Sequence, residues 1–164
     1  MKTLLLLRHA KSSWKESAPQ DFDRPLNERG KKVAEMVGRF IRNKQIAPDL
    51  LLSSPAIRAR ETIEIVIKTA ELNSELRYDE RIYEASALRL LEVVSQIEEE
   101  RKIVMLVGHN PGMEELLKLL TDRVEHIATG TLARINPKAD NWDQVLEDKG
   151  ILEWIVRPKE LPEH

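Results

Sequence analysis

The 164-residue chain is 41% hydrophobic and 33% charged, a balance that suits a soluble globular domain and not a disordered one. Its 26 basic and 28 acidic residues leave a net charge of -2, so any anion site must be local, and wholesale binding to nucleic acid or an anionic membrane is not expected. With no cysteine, disulfides, thiolate catalysis and thiolate metal sites are excluded. One domain spanning residues 1–164 is expected. No apolar run approaches the roughly 18 residues of a membrane span. Leu4 to Leu7 is short and ends in Arg8, so it reads as a buried first strand and not as a signal h-region. A cytoplasmic location is expected.

After that strand comes a loop of turn and charged residues, Lys11 to Pro25. A helix opens at Asn27, with Val33, Met36, Val37, Phe40 and Ile41 at helical spacing. Asp49 to Leu52 is a short apolar strand. Ser54 reads as an N-cap with Pro55 at the first helical position, and Ile63, Val66, Ile67 and Ala70 carry that helix's buried face. Leu76 to Tyr78 forms a further strand. Ser86 caps a helix with Leu90, Leu91, Val94 and Ile97 inward. Ile103 to Val107 is a continuous apolar run, as expected of a strand covered on both faces. Asn110-Pro111 starts a helix that buries Met113, Leu116, Leu117 and Leu120. Thr131–Ile135 and Ile151–Val156 make a hairpin around a polar loop, 137–150. The fold expected is α/β: a three-layer α/β/α sandwich, mainly parallel in its central sheet, with a C-terminal antiparallel hairpin.

Three strands end in polar, chemistry-bearing residues: Arg8-His9, Ser53-Ser54-Pro55-Ala56-Ile57-Arg58, and Gly108-His109-Asn110-Pro111. In an open α/β sheet ligands sit beyond the carboxyl ends of the strands, so these residues can converge. Arg58 falls in a first helical turn, where a cation is misplaced by roughly 0.3–1 kcal/mol unless an anion uses it. Two guanidinium forks and an imidazole would cradle one phosphoryl group, and a neutral imidazole is a competent nucleophile toward phosphorus near pH 7. No carboxylate or histidine cluster has clear metal-ligand spacing, so no metal or other cofactor is expected.

Each feature has a plainer reading. A strand-end histidine is often a structural hydrogen-bonder, Arg58 could pair with Glu61 or Asp49, and Gly108 to Gly112 could be only a turn and cap. Ser12 and Lys11 could touch phosphate or simply belong to the loop. Trp14 could line a pocket or pack over the sheet edge. The segment Asp21-Phe22-Asp23-Arg24-Pro25 reads as ordering the loop, Ser53-Ser54 as capping, and His126 and His164 as solvent or loop histidines. The common placement of the cations at strand ends favours a site.

Arg8-His9-Ala10 resembles the Arg-His-Gly signature of the histidine phosphatase (phosphoglycerate mutase-like) superfamily. Ser53-Ser54-Pro55 with Arg58-Ala59 and Glu61-Thr62 is similar to its second block, and Gly108-His109-Asn110-Pro111 to its third. The short length and the opening Arg-His-Ala-Lys-Ser-Ser-Trp resemble the small SixA-like phosphohistidine phosphatases. The resemblance implies His9 as the transiently phosphorylated nucleophile, with Arg8, Arg58 and His109 forming the phosphate pocket. It also puts Glu84 in the chain region where larger relatives keep a proton donor, although a helix-start glutamate satisfying the dipole explains Glu84 as well. Ala10 replaces the usual glycine. Lys11 and Trp14 stand where larger relatives carry an acidic residue and other loop residues, so mutase or sugar-bisphosphatase specificity is not carried over.

The expected function is a metal-independent phosphatase acting through a phosphohistidine intermediate on a phosphohistidine-bearing signalling or phosphotransfer protein. A small-molecule phosphomonoesterase for sugar or nucleotide phosphates, or a catalytically silent phosphate-binding module, are the alternatives. A monomer is expected.

Overall fold

Leu4, Leu5, Leu6 and Leu7 are all fully buried, because their strand lies inside the sheet. A computed structural model describes residues 1–13 and 20–164. In it β1 (Thr3–Arg8) pairs in parallel with β4 (Ile103–Gly108) on one side and antiparallel with β5 (Leu132–Asn136) on the other. Strands β2 (Leu50–Ser53), β3 (Glu75–Tyr78) and β6 (Ile151–Val156) complete a six-stranded sheet in the order β3-β2-β4-β1-β5-β6. The first four positions in that order are parallel, and the β5-β6 hairpin adds the antiparallel edge.

Successive residues of β1 face opposite layers. Leu5 and Leu7 pack under α1 (Glu28–Asn43) and α2 (Ile57–Ala70), against Val37, Ile41, Ile63 and Val66. Leu4 and Leu6 pack under α3 (Ala87–Ser95) and α4 (Gly112–Thr121), against Leu90, Val94, Leu116 and Leu117. Each such leucine contributes about 1.5–3 kcal/mol of burial free energy. This is the α/β/α sandwich with a C-terminal hairpin that the sequence pattern implies.

Two helix caps follow the sequence. The Asn27 side chain accepts the Gly30 N–H at 2.8 Å, and Ser86 accepts the Arg89 N–H at 3.2 Å. The expected cap at Ser54 does not form. Helix α2 begins two residues later than expected, at Ile57, with Ala56 in the capping position and no side-chain cap. Ser54 Oγ lies 3.2 Å from the Ala56 N–H and 2.8 Å from His109 Nε2, so a hydroxyl read as a cap is turned into the site. The 137–150 loop also differs from a purely polar connection. Trp142 is fully buried within it and donates its indole N–H to the Arg101 carbonyl at 2.8 Å.

Register fixes where the site must lie. Arg8 stands opposite Gly108, and Ser53 opposite Val107, so three strands end level with one another. His9, Ser54 and His109 are the next residues along each. Among the described residues, no helix is long and apolar enough to cross a membrane.

Candidate active site

His9 is held by backbone on every side. Its N–H donates to the Gly108 carbonyl at 3.1 Å, and the Gly130 N–H donates to the carbonyls of both Arg8 and His9 at 3.0 Å. Gly130 has φ +78°, and a Cβ there would press into Val33, so the position requires glycine. The Ala10 N–H donates to Thr62 Oγ1 at 3.0 Å, and that hydroxyl donates to the Arg58 carbonyl at 2.7 Å. One buried threonine on α2 thus ties the end of β1 to the turn that carries Arg58.

The His9 ring has a defined tautomer. Nδ1 lies 2.7 Å from the Ala10 carbonyl oxygen, which can only accept, so Nδ1 carries the proton. Nε2 therefore presents its lone pair, and Arg58 Nε donates to it at 3.3 Å. Burial, together with the charges of Arg58, Arg8 and Arg24, outweighs the Ala10 hydrogen bond and lowers the His9 pKa to about 3. The imidazole is neutral at physiological pH.

His109 stands with its ring centroid 5.1 Å from that of His9, and the Tyr83 ring packs edge-on against it at 5.5 Å. Burial and the neighbouring His9 and Arg58 lower its pKa to about 3 as well. Its Nδ1 is buried and makes no hydrogen bond to a described residue; the same is true of Arg8 Nε. These are polar atoms that a phosphate oxygen could satisfy. Arg8 is otherwise fixed by donation from Nη1 to the Ile127 carbonyl at 3.2 Å.

Arg58 is 5% exposed and is oriented by Asp21, not by Glu61 or Asp49. Its Nη1 donates to the Asp21 carbonyl at 2.8 Å and its Nη2 to Asp21 Oδ2 at 3.0 Å. Tyr83 donates its hydroxyl to the same Oδ2 at 2.6 Å, and Arg24 Nε donates to Oδ1 at 3.0 Å. Burial alone would raise the Asp21 pKa, but the Tyr83, Arg58 and Arg24 contacts win and hold it at about 2. Burial and the bond to Asp21 push the Tyr83 phenol up to about 12. Glu61 and Asp49 serve elsewhere: Glu61 accepts the Leu26 N–H at 2.8 Å, and Asp49 accepts the N–H groups of Lys102 and Ile103 at 3.0 and 3.1 Å.

Arg8, His9, Arg58 and His109 thus converge, as their positions at the strand ends imply, on a cavity of about 270 Å³. Lys11 and Ser12 also line it; Lys11 is exposed, and Ser12 Oγ accepts from Arg24 Nη1 at 2.8 Å. Trp14 lies outside the described residues. Glu84 is exposed in a turn with φ +53° and is not among the residues lining the cavity. Arg24, Asn110 and Thr129 line it without having been singled out as site residues from the sequence, and Asp21, Tyr83, Thr62 and Ser54 act just behind it. Among the described residues, no three histidine or carboxylate side chains are grouped to hold a metal ion.

A neutral imidazole with an outward lone pair, facing fixed arginines at the ends of parallel strands, defines a class of phosphoryl-transfer site. The family model of the histidine phosphatase superfamily (branch 1) matches residues 4–139, and the chain belongs to that superfamily. Membership makes it an enzyme of the phosphatase and mutase type. Within the superfamily it falls in the SixA-like subgroup. A proposed phosphohistidine phosphatase, SixA, from Agrobacterium tumefaciens is similar with TM-score 0.82 and 30% identity, over 96% of this chain and 98% of that one. Its counterpart from Nakamurella multipartita gives TM-score 0.84 and 25% identity, over 96% of each chain. An uncharacterised chloroplastic protein of Arabidopsis thaliana is 28% identical over 170 residues, 96% of this chain and 78% of its own.

Proposed function

We propose that the protein is a phosphatase that works through a phosphohistidine at His9 and releases phosphate from phosphohistidine on a signalling or phosphotransfer protein. The observation that carries this reading is the His9 tautomer. The Nδ1 proton is held by the Ala10 carbonyl, so the Nε2 lone pair faces the cations.

In the first step the Nε2 lone pair attacks phosphorus, an N–P bond forms, and the N–P bond to the substrate imidazole breaks with its electron pair leaving on that ring. The Arg58 Nε–H, which held the lone pair, is released by the same event and can donate to a phosphate oxygen. Arg8 Nε and Arg58 meet the charge of the transferring group, and pre-set donors of this kind need no reorganisation at the moment of transfer. His109 can donate from Nδ1 if Ser54 gives its hydroxyl proton to Nε2, a role the 2.8 Å contact supports. In the second step water attacks the phosphorus of phospho-His9. The N–P bond breaks, the pair returns to Nε2, and inorganic phosphate leaves with the water's oxygen.

The leaving group points to the substrate class. An alkoxide needs a proton donor, yet Asp21, the carboxyl joined to Arg58, is held ionised with a pKa of about 2. Glu84, the other candidate donor, stands exposed outside the cavity lining. A phosphohistidine imidazole can arrive protonated and leave without such a donor.

The test is phosphate release from a phosphohistidine-bearing transfer protein in the presence of EDTA, with His9→Ala beside wild type. Release abolished by the substitution, with labelled phosphate trapped on His9 in the wild type, supports the reading. Hydrolysis confined to simple esters would move the substrate to small molecules. Phosphate binding without turnover on either would leave a binding module.

A further inference from the structure

The cavity at His9 has a neighbouring groove. Lys11 and Thr129 line the cavity, and the same two residues line the groove, which is wider at about 570 Å³. Arg29, His126, Arg157 and Lys159 stand around that groove, and no carboxylate is among its lining residues. Its floor is apolar, with Val33 and Pro158 contributing. The carboxylates nearby are already engaged: Glu163 pairs with Arg29 at 2.8 Å, Glu125 with Arg157 at 3.2 Å, and Glu114 with His126 at 2.9 Å. Lys11 and Lys159 are exposed and make no ion pair with a described residue.

The form of the groove says what kind of anion suits it. Its cations come from separate pieces of chain: Lys11 from the loop after β1, Arg29 from the start of α1, and Arg157 and Lys159 from the turn after β6. Arg29 is 48% exposed and His126 73% exposed at the side chain, so these groups do not form an enclosed nest for one small polyanion. Exposed charges spread over a surface steer and orient a multiply charged partner, and each pair alone contributes little.

We infer that this groove docks an acidic segment flanking the phosphohistidine of the substrate protein, presenting the phosphoryl group to His9. The inference rests on the phosphohistidine reading and adds to it a chemical signature for the partner.

The test separates the two. Fluorescein-labelled octaglutamate is titrated into wild type and into the double variant Arg29→Glu/Lys159→Glu, two residues outside the phosphate pocket. Binding that weakens with added salt, and is lost by about tenfold or more in the variant, is expected. Equal binding to both proteins would overturn the inference, as would tighter binding of a single-stranded RNA of equal charge than of octaglutamate. In parallel, two phosphohistidine peptides are compared, one flanked by glutamates and one by glutamines. The variant is expected to lose about tenfold in kcat/KM on the first and to keep its rate on the second; equal slowing on both would count against docking. The milder Arg29→Gln/Lys159→Gln variant should shift both readouts in the same direction by less. If wild type cleaves neither peptide but hydrolyses p-nitrophenyl phosphate, the phosphohistidine reading fails, while the octaglutamate titration still decides the groove.

Discussion

Thr62 accepts the Ala10 N–H and donates to the Arg58 carbonyl, so one hydroxyl on α2 sets the spacing between the end of β1 and the first turn of α2. Thr62 is 1% exposed, and Ala10 is fully buried. Replacing Thr62 by valine keeps the shape and leaves the Ala10 N–H unpaired in the interior. The expected cost is about 1–3 kcal/mol of stability, read by denaturant unfolding. As a positioning residue it should affect kcat more than KM, and Thr62→Ser should restore much of both. A variant with lowered stability but unchanged kcat would mean that the bond does not align His9 with Arg58.

The two histidines give the protein a defined acid response. Both have pKa values of about 3 in the folded state, against about 6.5 for an unfolded histidine. Between those values the unfolded chain binds more protons, so stability is greatest above pH 6.5 and falls progressively as the pH drops toward 3. Asp21, at about 2 when folded, adds a further loss below its unfolded value near 4. The acid limb of kcat/KM should accordingly lie well below 6.5. A limb centred near 6.5 would show that His9 titrates as an ordinary exposed histidine.

Asp21 couples Arg58 to Tyr83, and Asp21→Asn tests that coupling spectroscopically. Burial and the bond to Asp21 raise the Tyr83 phenol to about 12, so removing the carboxylate charge should move its ultraviolet titration back toward 10. The same change removes negative charge beside two arginines. Inorganic phosphate should then inhibit more tightly, by about tenfold if one pKa unit of interaction is lost. Unchanged inhibition would mean that Asp21 does not offset the arginine charge felt by the ligand.

Glu84→Gln tests the leaving-group argument. Because Glu84 stands outside the cavity lining, cleavage of phosphohistidine and of an alkyl phosphate should both stay within about twofold. A loss of about tenfold on the alkyl phosphate alone would show that Glu84 reaches the leaving group and would undo the argument from the leaving group. The backbone offers an independent check on the turn: φ +53° disfavours a side chain, so Glu84→Gly should be neutral or stabilising.

The parts of the site legible in the sequence are those fixed by strand ends. Arg8, His9, Arg58 and His109 follow apolar runs, and parallel pairing brings strand ends level, so their convergence is legible in the sequence. Asp21, Arg24 and Tyr83 were not legible as a network, because Arg24 and Tyr83 meet at Asp21, which holds Arg58, from a loop and a turn that no periodicity locates. Asp21 and Arg24 lie in the segment read only as ordering its loop; Arg24 does so by donating to Asp21 and Ser12, while Asp21 in turn accepts from Arg58. Ser54 was misread for a related reason. Its sequence context is that of a cap, and its hydroxyl still accepts the Ala56 N–H, but it also meets His109 Nε2, a neighbour across the sheet that the local sequence does not reveal. Trp142 was missed because a large aromatic in a polar loop carries no periodic signal of burial.

β1 precedes both of its partners along the chain yet lies in the interior of the finished sheet, and this bears on the timing of activity. β1 waits for β4 and then β5 before either of its edges is covered, and His9 waits for the Gly130 N–H that fixes its carbonyl. A growing chain therefore carries His9 through most of synthesis without the hydrogen bonds that hold it in place. Pairings this distant along the chain also slow folding relative to local ones. Partial chains ending before β5 should be silent toward phosphate esters and phosphohistidine alike, because the site is assembled only when the sheet closes around β1.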